Sequence, residues 1–170
     1  MSSQRVFLVT GANKGIGFEV VKKLSEKQPT DLILLGSRDP KRGEEAFIRL
    51  GSPSNVKCLL LDTSSNESIE HAKQEIQEKY GGYIDVLINN AGIGIYELGI
   101  EALKSTFNTN FYGVKQMNNS FSPLIRDNGR IVNVSSGLGA LATKYCSAEL
   151  KTKFSNPDIT ESELEQLIAP

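Results

Sequence analysis

The eight residues Thr10–Gly17, TGANKGIG, constrain the fold more than any other part of the chain. They follow the apolar run Val6–Val9 and lead into a stretch with helical periodicity. Glycines at 11, 15 and 17 allow a tight turn out of a strand, a close backbone approach to a ligand, and packing of a helix on a sheet. The free N–H groups and the dipole of that helix favour an anion. The pattern predicts a nucleotide-phosphate site, and an ordinary strand–turn–helix connection is the alternative.

Short apolar runs alternate with longer stretches of helical period along most of the chain. The predicted strands are Arg5–Thr10, Asp31–Gly36, Val56–Leu61, Asp85–Asn89 and Arg130–Ser135, with Gly129 supplying the turn into the last. The predicted helices are Gly15–Lys27, Lys41–Leu50, Ser65–Tyr80 and roughly Gly99–Ser120. This alternation predicts an α/β fold, a doubly wound parallel sheet of Rossmann type with strand order 3-2-1-4-5. No linker or repeat interrupts the series, so we predict a single domain over residues 1–170.

Composition limits the classes of function. The chain has 170 residues, 39% of them hydrophobic, and a formal net charge of −1, so a normal core is expected and a nucleic-acid partner is not. No stretch approaches the roughly 18 apolar residues that span a bilayer, and no secretory signal is evident, so a cytoplasmic location is expected and a membrane partner is not. Cys58 and Cys146 lack the spacing of a metal site, and reduced thiols are the expectation.

The end of the second predicted strand, Gly36–Asp39, is where a dinucleotide fold selects its cofactor. NAD-binding sites place a carboxylate there to hold the ribose 2′-OH, whereas Ser37 is small and Arg38 can pair with a 2′-phosphate. Lys14 in the Gly-rich loop adds a second cation. This combination favours NADP(H). The alternative is that Arg38 is a solvated loop residue paired with Asp39.

Two further segments follow predicted strands. Asp62 is placed to accept a hydrogen bond from an adenine amino group, with the Thr63 backbone beside it; alternatively, Asp62 only helps to cap the helix beginning near Ser65. The segment Asn89–Gly92, NNAG, has small residues that allow backbone to approach a cofactor, and its asparagines can tie the strand end to its neighbours. In isolation, these four residues could also be an ordinary turn.

Taken in order, these segments resemble the short-chain dehydrogenases/reductases, and within them the NADPH-dependent carbonyl reductases. The resemblance rests on TGANKGIG, Ser37–Arg38, Leu61–Asp62, NNAG at 89–92, Thr109–Gly113 and Arg130–Ser136. It implies NADP(H) as cofactor and reduction of small-molecule aldehydes, ketones or quinones. The implied cofactor-binding residues are Gly11, Asn13, Lys14, Gly15, Ile16, Gly17, Arg38, Asp62, Thr63, Asn90, Ala91 and Gly92.

The resemblance also implies two catalytic residues. Ser136 would hydrogen-bond the substrate carbonyl oxygen and stabilise the developing alkoxide, and Asn110 would hold an ordered water in a proton relay. Asn90 and Gly92 would line the nicotinamide ribose. Outside this motif, a local backbone hydrogen bond at the end of a strand would be the better interpretation of Ser136.

In the family that the chain resembles, a tyrosine donates the proton, and a lysine four residues later lowers the pKa of that tyrosine and binds the ribose. The chain departs from this pattern because the corresponding YxxxK motif is absent from the sequence. Tyr145 follows Ser136, but Glu149 stands where the lysine is expected. The tail, with Lys144–Phe154 and Ile159–Ile168, resembles the helical insertion that carbonyl reductases carry between their serine and tyrosine. We therefore expect residues 137–170 to be part of that insertion, in a truncated fold that is incomplete at its C-terminal side. The chain alone is expected to be inactive, and a short form that binds NADP(H) as a binding or regulatory module is the alternative.

Overall fold

A computed structural model describes residues 4–94, 99–139 and 143–168 of the chain. It divides into two compact units, Met1–Val134 and Ser135–Pro170. The first unit contains a sheet with its crossover helices, and the second contains short helices. None of the described helices is both long enough and apolar enough to cross a membrane.

The first unit is built on a five-stranded parallel sheet. Its strands are β1 (Val6–Val9), β2 (Leu32–Ser37), β3 (Val56–Leu60), β4 (Ile84–Asn89) and β5 (Ile125–Asn133). They lie in the order β3-β2-β1-β4-β5, and every neighbouring pair is parallel. The predicted α/β class and strand order are confirmed. The carboxyl ends of the strands consequently meet at one edge of the sheet.

Five α-helices connect the strands in the described part of this unit. They are α1 (Gly15–Lys27), α2 (Pro40–Arg49), α3 (Asn66–Lys79), α4 (Ile100–Phe107) and α5 (Gly113–Phe121). A π-helical turn, Asn108–Tyr112, separates α4 from α5, and a 3₁₀ turn, Ser122–Leu124, follows α5. The single helix predicted over 99–120 is therefore interrupted. The interruption falls on the segment that carries Asn110, and π-helical turns often occur at functional sites.

Alternate side chains of the strands enter two separate cores. Val6 and Leu8 of β1 pack on one face of the sheet with buried residues of α3 and α5, such as Ile69 and Phe121. The other face carries a second cluster with residues from α1 and α2. Both faces of a parallel sheet are covered in this way in doubly wound folds, which explains why β1 to β4 are largely apolar, whereas β5 (IRDNGRIVN) is mostly exposed.

The strand β5 differs from its prediction at both ends. It begins at Ile125 rather than Arg130 and ends at Asn133 rather than Ser135. Its register with β4 shifts within the strand, and Gly129 lies at this irregularity. A Cβ on Gly129 would overlap the side chain of Ile125. Gly129 thus allows a bulge inside the strand, instead of forming a turn before it as predicted.

Charged groups hold the amino end of the sheet together. Arg5 Nη2 lies 2.6 Å from Asp31 Oδ2, and Arg126 Nη2 lies 2.6 Å from Asp85 Oδ1. The other oxygen of Asp85 accepts a hydrogen bond of 2.7 Å from the backbone N–H of Val6. Each pair joins two different strands or their flanks, so these ionic contacts fix the starts of β1, β2, β4 and β5.

A buried hydroxyl links α5 to α3. Ser120 is 6% exposed, and its Oγ donates a 2.8 Å hydrogen bond to Oε1 of Glu70. This hydrogen bond, assisted by the positive charge of Lys73, holds the pKa of Glu70 below its ordinary value of 4.5. A lowered pKa in the folded state stabilises the fold above the unfolded-state pKa, and that contribution is lost as the pH falls through the folded-state pKa.

We expect Ser120→Ala to raise the pKa of Glu70, because the carboxylate loses the donor that contributes most to the lowering. The part of the stability that disappears as the pH falls below about 4.5 should also shrink. A carboxyl NMR titration measures the pKa, and denaturation at several pH values measures the stability. Ser25→Ala, which removes a hydroxyl bonded to Lys22 O, is the matched control. An unchanged Glu70 titration would contradict this account.

The described residues of the second unit include a 3₁₀ turn, Thr143–Tyr145, and the helices α6 (Ala148–Phe154) and α7 (Glu161–Ile168). Ser147 caps α6, since its Oγ accepts a hydrogen bond of 3.2 Å from the N–H of Leu150. Helical structure thus occurs within both predicted tail segments. Residues 140–142 and 169–170 of the predicted insertion lie outside the described residues.

Candidate functional site

A cleft of about 330 Å³ opens where β1, β2, β3 and β4 reach their carboxyl ends. Its volume falls within the range of small-molecule sites, and its position is the one at which open α/β sheets bind ligands. Eleven predicted site residues line it together: Gly11, Asn13, Lys14, Gly15, Ile16, Arg38, Asp62, Thr63, Asn90, Ala91 and Gly92. Four separate strand ends contribute to this set, so the fold itself assembles the cleft.

The glycines of the β1–α1 loop have distinct positions. Gly11 has φ = 61°, and a Cβ there would stand 2.8 Å from Ala91 Cα. Gly15 also has positive φ, 59°. Gly17 is buried and does not line the cleft; a Cβ at Gly17 would overlap Nδ2 of Asn90. The loop therefore needs glycine for its backbone conformation at two positions and for close packing at the third.

Neutral hydrogen bonds lock the β1–α1 loop to the segment after β4. Asn90 Nδ2 donates to Thr10 O at 2.9 Å and to Gly11 O at 3.3 Å. Thr10 Oγ1 accepts from the N–H groups of Asn90 and Ala91, each at 2.9 Å. The side chain of Asn90 thus holds the β1–α1 loop in place, so this wall of the cleft is ordered without a ligand.

The amino end of α1 faces the cleft without a side-chain cap. Lys14 is the N-cap residue, its side chain makes no capping hydrogen bond, and the first turn contains no acidic residue. The first N–H groups of a helix lack partners within the helix, and the helix dipole makes this end electropositive. Gly15 and Ile16 of this turn line the cleft, so the arrangement is suited to an anion such as a phosphate.

Positive side chains surround the end of β2. Arg38, Arg42 and Lys14 all line the cleft. Asp39 caps α2 by accepting from the N–H of Arg42 at 3.1 Å, and its carboxylate lies 3.5 Å from Arg42 Nε. The alternative pairing of Arg38 with Asp39 is therefore not observed. Ser37 is buried and donates to the carbonyl of Asp39 at 2.8 Å. In the part of the chain that the structure describes, Arg38 and Lys14 make no ion pair.

Asp62 organises the turn before α3 and also lines the cleft. Its Oδ1 accepts hydrogen bonds from Ser64 N at 2.9 Å and Ser64 Oγ at 2.7 Å. Ser65, and not Asp62, is the N-cap of α3, because its Oγ accepts from the N–H of Ser68 at 3.2 Å. Asp62 and Thr63 both line the cleft, and their adenine role stays a prediction.

Asn89 lies behind the cleft as a tie between elements. It is 3% exposed, and its Nδ2 donates to Oδ1 of Asn118 in α5 and to Oδ1 of Asn133 in β5, both at 2.8 Å. The prediction that an asparagine here ties the strand end to its neighbours is confirmed. The end of β4 is thereby tied to α5 and to β5.

Asn110 lies in the π-helical turn, next to the cleft-lining Thr109. Its Oδ1 accepts from the N–H of Ile93 at 2.9 Å, and its Nδ2 donates to the carbonyl of Ile93 at 2.8 Å. The side chain thus holds the backbone just after the NNAG segment. Asn110 does not itself line the cleft, and its part in a proton relay stays a prediction.

Ser136 belongs to the second unit, beyond the end of β5. Its Oγ accepts a 3.1 Å hydrogen bond from the N–H of Leu138, and the residue is exposed. This is the local hydrogen bond to the backbone that would be expected of Ser136 if it had no catalytic role. It leaves the hydroxyl hydrogen able to donate to another acceptor, so the catalytic role stays a prediction.

Six residues that line the cleft were not among the predicted site residues: Ser37, Asp39, Arg42, Leu61, Ile93 and Thr109. Ile93 and Thr109 each directly adjoin a residue that was predicted. Arg42 could have been predicted from the sequence. Asp39 and Pro40 are typical of the start of a helix, and Arg42 lies in the first turn of that helix, four residues after Arg38.

The fold, the Gly-rich loop and the cleft at the switch in strand order define a dinucleotide-type α/β protein. A family model described as short chain dehydrogenase matches residues 5–161. This match covers most of the chain, which therefore belongs to the short-chain dehydrogenase family.

Within this family, the chain is similar to several individual reductases. The chain is 41% identical over 175 aligned positions to carbonyl reductase (NADPH) 1 of Rattus norvegicus, covering 99% of this chain and 62% of the relative. It is 39% identical to carbonyl reductase (NADPH) 1 of Homo sapiens, covering 98% of this chain and 61% of the relative. Salutaridine reductase from Papaver somniferum has a similar structure, with a TM-score of 0.84, 27% identity, and coverage of 97% of this chain and 68% of that one. The chain thus spans about three fifths of the length of the curated relatives it matches.

Proposed function

We propose that this chain is the NADP(H)-binding part of an NADPH-dependent oxidoreductase that reduces small-molecule aldehydes, ketones or quinones. The observation that carries the proposal is the cleft, in which an uncapped helix end and the cations Lys14 and Arg38 face one space without a carboxylate paired to either cation. The names of the similar carbonyl reductases support the same cofactor.

The residues present fit a phosphorylated dinucleotide. Gly11 lets the loop pack closely against Ala91, and Gly15, which lines the cleft, leaves the backbone at the start of α1 open to a pyrophosphate. Arg38 and Arg42 can pair with a 2′-phosphate, and no acidic side chain stands in the place of Ser37 to hold an unphosphorylated ribose. When bound, NADPH supplies a hydride to a carbonyl carbon.

The proposal gives the chain's own residues these roles. Asp62 and Thr63 receive the adenine, while Asn90, Ala91 and Gly92 line the nicotinamide ribose. The Ser136 hydroxyl donates a hydrogen bond to the substrate carbonyl oxygen and stabilises its negative charge as the alkoxide forms. Asn110 keeps the backbone of Ile93 in place and has a second N–H able to hold a water.

A second candidate is a chain that binds NADP(H) without turnover. It is favoured by the surroundings of Tyr145, which follows Ser136 in the sequence. Tyr145 is 85% exposed, and Glu149 lies at the position where a lysine would lower the tyrosine's pKa. Glu149 instead pairs with Lys153 at 2.7 Å. Under either candidate we infer that residues 137–170 form part of a helical insertion in the Rossmann domain, and that the protein is cytoplasmic.

Titration of the chain with NADPH and with NADH, followed by an assay with a quinone, tests both candidates. We expect NADPH to bind at least tenfold more tightly than NADH, because a 2′-phosphate contact with arginine is worth about 1.5–3 kcal/mol. If turnover occurs, Ser136→Ala should lower kcat about 100-fold and leave the dissociation constant of NADPH unchanged, whereas Ser162→Ala on α7 should change neither. Turnover would contradict the second candidate, whereas binding without turnover is compatible with both. No binding of NADPH rejects both.

A further inference from the structure

Arg49, in the last turn of α2, contacts the Gly-rich loop from outside the cleft. Its Nη2 donates a 2.8 Å hydrogen bond to the carbonyl oxygen of Asn13. Its guanidinium carbon lies 4.6 Å from the centre of the Phe18 ring in α1. Within the described ranges no acidic side chain pairs with Arg49, so these two contacts define its orientation.

The contact with Asn13 fixes the orientation of the next amide. In a trans peptide the C=O and the following N–H point in opposite directions. A donor that holds the Asn13 oxygen therefore turns the N–H of Lys14 away from Arg49. Lys14 is the N-cap residue of α1 and has no side-chain capping bond of its own. Arg49 supplies an external restraint at the point where the loop becomes the helix.

The helix α2 reaches the cleft through Arg42 in its first turn and the Gly-rich loop through Arg49 in its last turn. Arg42 and Arg49 are seven residues apart, which places them on the same face of a helix, two turns from each other. Arg42 lines the cleft beside Arg38, while Arg49 reaches the loop that carries Lys14. One rigid element thus sets the separation between the loop and the cations that follow β2.

We propose that Arg49 is a positioning residue for the dinucleotide: it holds the Asn13–Lys14 peptide in the conformation that binds the phosphate groups. The proposal rests on the proposed NADP(H) function of the same cleft. Stacking on Phe18 keeps the guanidinium plane in place, so the loop is ordered before the ligand binds. Less of the binding free energy is then lost in ordering the loop. The charge of Arg49 also raises the positive potential beside the loop.

Three variants of the full chain test this role: Arg49→Ala, Arg49→Lys and the control Lys41→Ala. Lys41 is an exposed cation at the other end of α2 and does not line the cleft, so the control removes the same charge from the same helix. The dissociation constant of NADPH is measured by fluorescence. Hydrogen exchange of the peptide over residues 10–18 reports on the loop, and thermal unfolding reports on the whole fold.

We expect Arg49→Ala to weaken NADPH binding about fivefold and to speed exchange in the loop peptide, with Arg49→Lys recovering part of both because lysine keeps a donor but not the stacking plane. Lys41→Ala should leave the dissociation constant within about twofold of the wild type. Equal binding by Arg49→Ala and Lys41→Ala would overturn the positioning role while the proposed function stands. A wild-type chain that fails to bind NADPH would reject the proposed function, and the positioning role with it.

Discussion

Replacing Arg38 with aspartate should turn the preference of the chain from NADP(H) toward NAD(H). The change removes a cation that makes no ion pair within the described residues and places a carboxylate at the end of β2, where it can accept hydrogen bonds from a ribose 2′-OH. The lost charge-assisted contact and the new repulsion of the 2′-phosphate act in the same direction. We expect the ratio of the two dissociation constants to change at least 100-fold, or about 2.7 kcal/mol.

Fluorescence titration of both cofactors measures this ratio for Arg38→Asp and for the control Arg130→Asp. Arg130 is an exposed arginine of β5 that does not line the cleft, so its substitution makes the same charge change outside the site. The control should leave the ratio unchanged. A preference unaffected by Arg38→Asp would remove the basis for assigning the 2′-phosphate to this end of the cleft.

Gly17→Ala should lower the free energy of unfolding by about 1–3 kcal/mol, because its Cβ would overlap Asn90 Nδ2 and lie 2.9 Å from Gly11 O. Relief of the overlap requires Asn90 to move and to give up its hydrogen bonds to Thr10 and Gly11. We therefore also expect at least tenfold weaker NADPH binding, because the loop loses its brace.

Chemical denaturation measures the stability of this variant, and fluorescence titration measures its binding. Gly139→Ala is the matched control, because a Cβ at that position meets nothing within 4 Å. If Gly17→Ala unfolds with the same free energy as Gly139→Ala, the packing account of the third loop glycine is wrong.

The sheet could be predicted from the sequence because the pattern that identifies each strand or helix lies within one short segment. The strands β1 to β4 are short, mostly apolar runs, and the period of α3 places Ile69, Ala72 and Ile76 on the face that the structure buries. The bounds of β5 could not be predicted in this way. Its bulge around Gly129 is set by how the strand packs against β4, and that contact joins residues about 40 positions apart.

The cleft could be predicted where the chemistry is carried by one short segment, as in TGANKGIG or Ser37–Arg38. Prediction failed where function depends on a contact between segments. Arg49 and Asn13 are 36 residues apart, and only the packing of α2 beside α1 brings them together. In the same way, Asn110 was predicted by its motif, but the hydrogen bonds that it makes with Ile93 depend on a π-helical turn that the sequence pattern did not indicate.

The two ends of the sheet are held by different chemistry. At the amino end, contacts such as those of Arg5 with Asp31 and of Arg126 with Asp85 are between full charges. At the carboxyl end, Thr10, Asn89 and Asn90 use only hydroxyl and amide groups. Dissolved salt weakens attraction between charges and has little effect on neutral hydrogen bonds. Asp31 and Asp85 are largely buried, so salt screens these two pairs less than it would screen exposed ones, but of the two ends the amino end is the one whose contacts respond to ionic strength.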